Sequence, residues 1–420
     1  MNRISSVNSG WVVVGISFIT LALSYAIWYS FSVFFVALLR EFGWSRSIGA
    51  GAFSLFIMMH HLFGPFVGRM VDRLGPRRIV LIGSSLMGAG LALCSFIQSW
   101  WQFYISFGLI TALGIGATGW VTNTTIVHSW FRVKRGLPIG IISSGIGVGI
   151  LVCVPSIQYL IDGVGWRMAY RIMAVFIPGV VALLALLFLK RPPQPAANWI
   201  PPEAPIPIIQ DRISPSSHRP SHDWTLQQAM ATRSFWLLSL SFFLGSFASQ
   251  SIFAHHVAFF VDRGLEALFA SYIVGLIGIS SIGAKILMGT LSDRIGREWT
   301  YTLGTIFGVL AMVSLIAFKF LSYSVLCYLY AVFFATGYAA TAALPPVITS
   351  DFFGGKTYGQ IFGTIFIGSG LGGACGAWVA GLVYDLAKGY LLVFFLAIVF
   401  FLLPCWFIWW AAPRSISRRL

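Results

Sequence analysis

The chain has 420 residues, of which 58% are hydrophobic and only 9% charged, with a mean hydropathy of +0.85. A soluble domain carries roughly 25% charged residues, so this composition excludes a water-soluble globular fold and predicts an all-α polytopic membrane protein. The formal charge of +15 would point to nucleic acid in a soluble chain, but its distribution along the helices assigns it to topology instead.

Crossing the hydrocarbon takes about 20 apolar residues per helix. In chain order, such stretches run near residues 11 to 37, 48 to 68, 78 to 98, 101 to 128, 136 to 160, 167 to 189, 234 to 260, 267 to 290, 299 to 320, 323 to 348, 358 to 383 and 390 to 412, which predicts twelve membrane helices. Met1-Asn-Arg3 leads into an apolar run too long for the core of a cleavable signal, and it reads as a retained first helix. Between the sixth and seventh helices the composition changes to Pro192-Pro193, Pro195, Pro201-Pro202, Pro205, Pro207, Pro215 and Pro220 with scattered charges and serines. Such a segment buries no core. The expected organisation is an N-terminal six-helix bundle at 1–190, a cytoplasmic linker at 191–232 and a C-terminal six-helix bundle at 233–420.

With both termini placed in the cytoplasm, 19 of the 27 Lys and Arg residues fall in cytoplasmic segments, seven in external ones, and Lys285 inside a helix. That asymmetry follows the positive-inside rule. It predicts a plasma (inner) membrane protein whose basic balance reports orientation in the lipid bilayer, with no nucleic-acid partner. The five cysteines, Cys94, Cys153, Cys327, Cys375 and Cys405, all lie in apolar stretches without a C-x-x-C pair. No disulfide framework, metal site or cofactor is expected.

The two halves repeat one another. Gly68-Arg-Met-Val-Asp72-Arg73-Leu-Gly75-Pro-Arg77-Arg78 follows the second helix, and Gly289-Thr-Leu-Ser-Asp293-Arg294-Ile-Gly296-Arg297 follows the eighth, at an offset of 221 residues. The same offset carries Trp130-Phe131, ahead of the fifth helix, onto Asp351-Phe352, ahead of the eleventh. Ser144-Gly145-Ile-Gly147 is echoed by Ser369-Gly370-Leu-Gly372. An internal duplication of this kind places a site at the interface of the repeats.

The Gly-x-x-x-Asp-Arg-x-Gly-x-Arg-Arg loop resembles the signature of the major facilitator superfamily. Within it, Ser9-Gly10-Trp11-Val-Val-Val, Tyr29-Ser30-Phe31-Ser-Val33-Phe34-Phe35, Phe42-Gly43-Trp44-Ser45-Arg46-Ser47 and Trp130-Phe131-x-x-Lys134-Arg135-Gly136-Leu137 are similar to the monocarboxylate-transporter and oxalate/formate-antiporter branch. The resemblance implies the major facilitator fold, twelve helices in two pseudo-symmetric six-helix bundles, with a central cavity lined by helices one, four, seven and ten and an alternating-access cycle. It also implies a cation on helix eight that binds the substrate carboxylate. Lys285 stands at that place, where arginine is common. An ammonium is a point charge that can lose its proton when buried, whereas a guanidinium grips a carboxylate bidentately. Tyr29 stands where animal monocarboxylate carriers place a lysine. Ser281 stands one turn before Lys285, where they place an aspartate.

The residues themselves support an anion site. Lys285 lies ~12 Å along its helix from Asp293, at 1.5 Å per residue, and all twelve Asp and Glu positions fall in loops, the linker or helix ends. An intramembrane cation with no acidic neighbour marks a functional site, its neutralising charge arriving with a small organic anion. The alternative is a stem that lifts the ammonium to the headgroups. Candidate substrate-binding residues are Lys285, Tyr29, Asn123, Tyr338, Ser281 and His255, with Thr124, Gln250 and Thr341 as further polar positions in cavity-lining helices. Polar residues also hold membrane helices together. His60-His61 and His255-His256 are adjacent pairs that point to different helix faces and form no chelate; His255 and Lys285 are the candidate proton carriers. Asp72, Arg73, Arg77, Asp293, Arg294 and Arg297 are candidate gating residues at the cytoplasmic face.

The reading is a secondary transporter of small organic anions, monocarboxylates foremost, with possible partners limited to the anion and protons. An anion exchanger for carboxylates or dicarboxylates is the nearest alternative, and a transporter-like nutrient sensor a distant one. An enzyme requires a nucleophile with a base, or a metal cluster, at membrane depth, and the sequence offers neither.

Overall fold

The computed structural model describes residues 3–131, 136–189, 224–355 and 357–411, without the side chains of 3–9, 72 and 136. The described residues are helical throughout their long segments and contain no strand. Twelve membrane helices follow in order: α1 Arg3–Phe42, α2 Arg46–Leu74, α3 Pro76–Cys94, α4 Trp100–Trp130, α5 136–164, α6 166–188, α7 Arg233–Asp262, α8 Ala267–Ile295, α9 Arg297–Leu321, α10 Val325–Phe353, α11 Tyr358–Ala387 and α12 Leu391–Ala411. Helices α5 and α6 run on without a loop. They are separated by Gly165 alone, whose φ of 80° and ψ of 156° no helix accommodates. The repeated glycines of the two signature loops have the same physical cause: Gly75 (φ 84°) and Gly296 (φ 96°) turn the chain between α2 and α3 and between α8 and α9 in a conformation that glycine adopts at low cost.

The proline-rich stretch expected to link the halves lies outside the described residues up to 223. Its last residues hold a short helix, Leu226–Met230, started by a reciprocal cap in which Thr225 and Gln228 bond each other's backbone N–H.

Helix α4 is not uniform. It opens with one α turn, winds as a π-helix over Tyr104–Thr111, and breaks at Gly119 (φ −85°, ψ −152°) near its middle. A break in lipid frees backbone carbonyls that must find partners inside the protein. The next turn supplies them: Thr122 Oγ1 donates to Ala117 O at 2.7 Å, and Asn123 Nδ2 donates to Thr118 O at 2.7 Å and Gly119 O at 2.9 Å.

The halves meet where small residues let backbones approach, as expected where lipid removes the hydrophobic drive between helices. A Cβ on Gly278 of α8 would stand 2.6 Å from Gly147 O of α5. On α11, a Cβ on Gly370 would stand 2.5 Å from His61 Cβ of α2, and one on Gly381 would stand 2.7 Å from the Arg46 backbone. Toward the face that carries the termini the same helices separate: Gly140, Gly289, Gly359 and Gly363 have nothing within 4 Å of such a Cβ. The two halves are therefore tightly joined at the far face and in mid-membrane, and splayed toward the terminal face.

Candidate functional site

Lys285 sits ten residues before the end of α8 at Ile295, ~15 Å from the terminal face and ~27 Å from the start of the helix at Ala267. Its direction separates a site from a snorkelling side chain. The lipid face of α8 is marked by Tyr272, Ile279, Ile286 and Leu287, all exposed, and at about 100° per residue Lys285 lies about 140° around the helix from their mean. It falls instead between Gly278, which packs on α5, and the buried Ser281 and Met288, which face their own half. Partly exposed and turned inward, its ammonium has no ion pair and no hydrogen bond among the described residues.

Tyr29 of α1 and Tyr338 of α10 do meet. Their hydroxyls are 3.0 Å apart, a hydrogen bond across the two halves. Phe253 of α7 packs edge-on against both rings, at 5.0 Å and 5.1 Å between centroids. Both tyrosines lie 13 residues, or ~20 Å, from the far-face ends of their helices, about 7 Å farther from the terminal face than Lys285. A cation and a phenol pair thus stand at two levels of one interior, without touching each other.

The other predicted ligands are engaged within the protein, all but His255 by carbonyls of their own helices. Asn123 spends its amide hydrogens on the α4 break. Ser281 donates to Gly278 O at 2.7 Å, Thr124 bonds Trp120 O at 2.8 Å, and Thr341 bonds Tyr338 O at 3.0 Å. His255 is buried and held on both nitrogens, Nε2 by Ala377 O at 3.0 Å and Nδ1 by Tyr390 OH at 3.1 Å. Gln250 Oε1, Trp28 Nε1 and His60 Nδ1 are buried polar atoms without a partner, at the level of the tyrosine pair.

Of the predicted gating residues, Arg297 bonds Asp293 at 2.6 Å and Asp351 at 2.9 Å, which ties the ends of α8, α9 and α10 within one half. Arg77 donates to Leu186 O at 2.8 Å within the other half. Arg73 and Arg294 are exposed, and the Asp72 side chain lies outside the described residues.

The far face is different. There Arg46 pairs with Asp262 across the halves at 2.7 Å, and Asp385 accepts the backbone N–H groups of Arg46 and Ser47 at 2.9 Å each. The composition reading did not single out this cluster, although it carried a signal. A cation in the first turn of a helix opposes the helix dipole, so Arg46 required an acidic partner from elsewhere.

A family model for the Major Facilitator Superfamily matches residues 17–364 and 284–419. The chain belongs to the major facilitator superfamily. It is a membrane transporter and not an enzyme. It is 25% identical over 394 residues to monocarboxylate transporter 3 of Rattus norvegicus, covering 92% of this chain and 76% of that one. It is 25% identical over 373 residues to monocarboxylate transporter 2 of Homo sapiens, covering 85% and 76%. An uncharacterized MFS-type transporter of Bacillus subtilis, YcxA, is 24% identical over 392 residues, covering 88% and 87%. Among solved structures, a bacterial homologue of the human lysosomal transporter Spinster, inward-facing and unoccupied, superposes with a TM-score of 0.74 at 14% identity, covering 100% of this chain and 99% of that one. The nucleoside transporter NupG gives 0.73 at 14% identity, covering 96% and 100%. The last two establish the fold of this transporter and nothing about its cargo.

Proposed function

We propose that this transporter carries small organic anions, monocarboxylates foremost, by alternating access, with Lys285 as the carboxylate anchor. The carrying observation is an inward-turned ammonium ~15 Å inside α8 with no carboxylate beside it among the described residues. A cation inside the membrane left unpaired by the protein is stabilised by an anion that arrives from solution. The similarity to monocarboxylate transporters supports the same reading. Tyr29 and Tyr338 supply hydroxyls next to an apolar wall for the organic part of the substrate; Ser281, Asn123 and His255 shape the surroundings.

With the termini in the cytoplasm of a plasma (inner) membrane, the splayed face is the cytoplasmic one and the structure is an inward-open state. The halves are then 1–190 and 233–420, joined by a cytoplasmic linker at 191–232. The loops of Asp72, Arg73 and Arg77 and of Asp293, Arg294 and Arg297 act on the inner gate in the opposite state. Coupling to protons runs through Lys285, which binds anion and proton together. Strict anion exchange is the competing cycle.

Proteoliposomes separate these. A panel of radiolabelled organic acids should show saturable uptake of small monocarboxylates, accumulated uphill under an inward proton gradient and abolished by a protonophore. Uptake that appears only after preloading with an anion would replace coupling by exchange. Absence of transport for every carboxylate would overturn the substrate class.

A further inference from the structure

The first turn of α2 is held from the other half of the protein. Two carboxylate oxygens of Asp262, the last residue of α7, lie 2.7 Å from Arg46 Nη2. The guanidinium rests 3.8 Å above the Tyr384 ring of α11 and bonds the Tyr390 hydroxyl through Nη1. Asp385, near the end of α11, receives the N–H groups of Arg46 and Ser47, so a carboxylate of one half caps a helix of the other. The Arg46 side chain is only 12% exposed. Every one of these contacts crosses between the halves, and every one must break when the far face opens.

The cluster has an inner end. Tyr390 OH also contacts His255 Nδ1, and the second ring nitrogen faces a carbonyl oxygen, Ala377 O. A carbonyl only accepts, so Nε2 carries the hydrogen of the neutral ring and Nδ1 is the acceptor. The order of donation is then fixed: Arg46 to Tyr390, Tyr390 to His255, His255 to Ala377. If Nδ1 also takes a proton, two donors confront one phenol oxygen and the phenol hydrogen loses its acceptor. A second positive charge is also placed in the neighbourhood of Arg46.

We propose that Arg46 bolts the gate at the far face and that protonation of His255 draws the bolt through Tyr390. The groups acting on the ring are Arg46 from α2, Asp385 and Tyr384 from α11, Tyr390 from the turn before α12, and His256 and Asp262 from its own helix. From α1 it meets Phe35, which does not titrate, at 5.2 Å between centroids. His256 is turned to Tyr330, 2.9 Å away. In the inward-open assignment above, this makes opening toward the outside follow the capture of a proton, whatever the cargo is.

The gate is read without substrate. In the full-length chain with its five cysteines replaced, spin labels at Ile48 and Leu386, exposed positions of α2 and α11 on either side of the bolt, report the separation of the halves in nanodiscs. The wild-type gate should give one short distance at pH 8 and a long-distance population about tenfold larger at pH 5, the behaviour of a two-state equilibrium biased by one proton. Asp262→Asn should populate the long distance already at pH 8. His255→Gln should keep the short distance at both pH values, and Tyr390→Phe should keep the bolt while losing the pH response. A pH response that survives in His255→Gln assigns the effect to another group and overturns the role of His255. A folded Asp262→Asn protein, judged by gel filtration and melting, with the wild-type distance distribution overturns the bolt itself. None of these outcomes depends on Lys285 binding an anion.

Discussion

Replacing Lys285 with methionine keeps the length of the side chain and removes its charge, which makes it the sharpest probe of the anion anchor. Opposite unit charges at 4 Å attract by about 4 kcal/mol at an effective dielectric constant of 20. Part of this is offset by stripping water from the carboxylate, so about 2 to 3 kcal/mol should remain, or roughly 30- to 150-fold in Kd. The substrate-free protein should move the other way. Because no described carboxylate neutralises Lys285, its removal relieves an uncompensated charge, and Tm without ligand should rise slightly. Ligand at 100 times the wild-type Kd stabilises the wild type by about 2.7 kcal/mol, and at the same concentration that increment should fall below about 1 kcal/mol in Lys285→Met. The assays are equilibrium binding by titration calorimetry and melting with and without carboxylate; Lys285→Arg should retain binding. Unchanged Kd in a folded Lys285→Met protein, or a full ligand-induced rise in Tm, refutes the anchor and returns Lys285 to a packing role.

Tyr29→Phe removes the 3.0 Å bond between the halves, net about 1 kcal/mol, and should raise the fraction open at the far face about fivefold in the spin-label distances; no change would mean that the bond does not hold this state. Gly278→Val drives a Cβ into Gly147 O and should disfavour the closed approach of α5 and α8 by about 1–3 kcal/mol, abolishing uptake with normal membrane levels. Gly283→Val on the same helix has open space, and a comparable loss there would show that bulk in α8, not the helix approach, is responsible. Arg297→Gln breaks pairs confined to one half, with Asp293 74% exposed. It should lower Tm in keeping with a partly solvated pair of about 1 kcal/mol or less and leave substrate Kd unaltered, as checked by melting and calorimetry.

The membrane helices were legible in the chain because each needs about 20 apolar residues and the connectors punctuate them. Gly75 and Gly296 could be read as a repeat, and their positive φ supplies the reason for the repetition. Lys285 was legible for a related reason: a charge in an apolar run stands out against its neighbours. The orientation of its helix, which turns it from lipid to interior, emerged only when Gly278 was found against Gly147. Asn123 shows the limit of reading polarity as a binding signal, since its amide serves carbonyls freed by a break at Gly119 that the apolar pattern does not announce.

What the chain by itself determined is thus the set of local solutions: apolar length, helix ends, duplication and an uncompensated cation. What tertiary structure alone decided is which groups from the two halves meet. Arg46, Asp262, Asp385 and Tyr390 are up to 344 residues apart in the chain, and hydropathy treats them as ordinary helix-end polar residues. Their partnership depends on how the two bundles tilt against each other, and glycine contacts and trans-capping carboxylates whose pairings no local sequence pattern records hold that tilt.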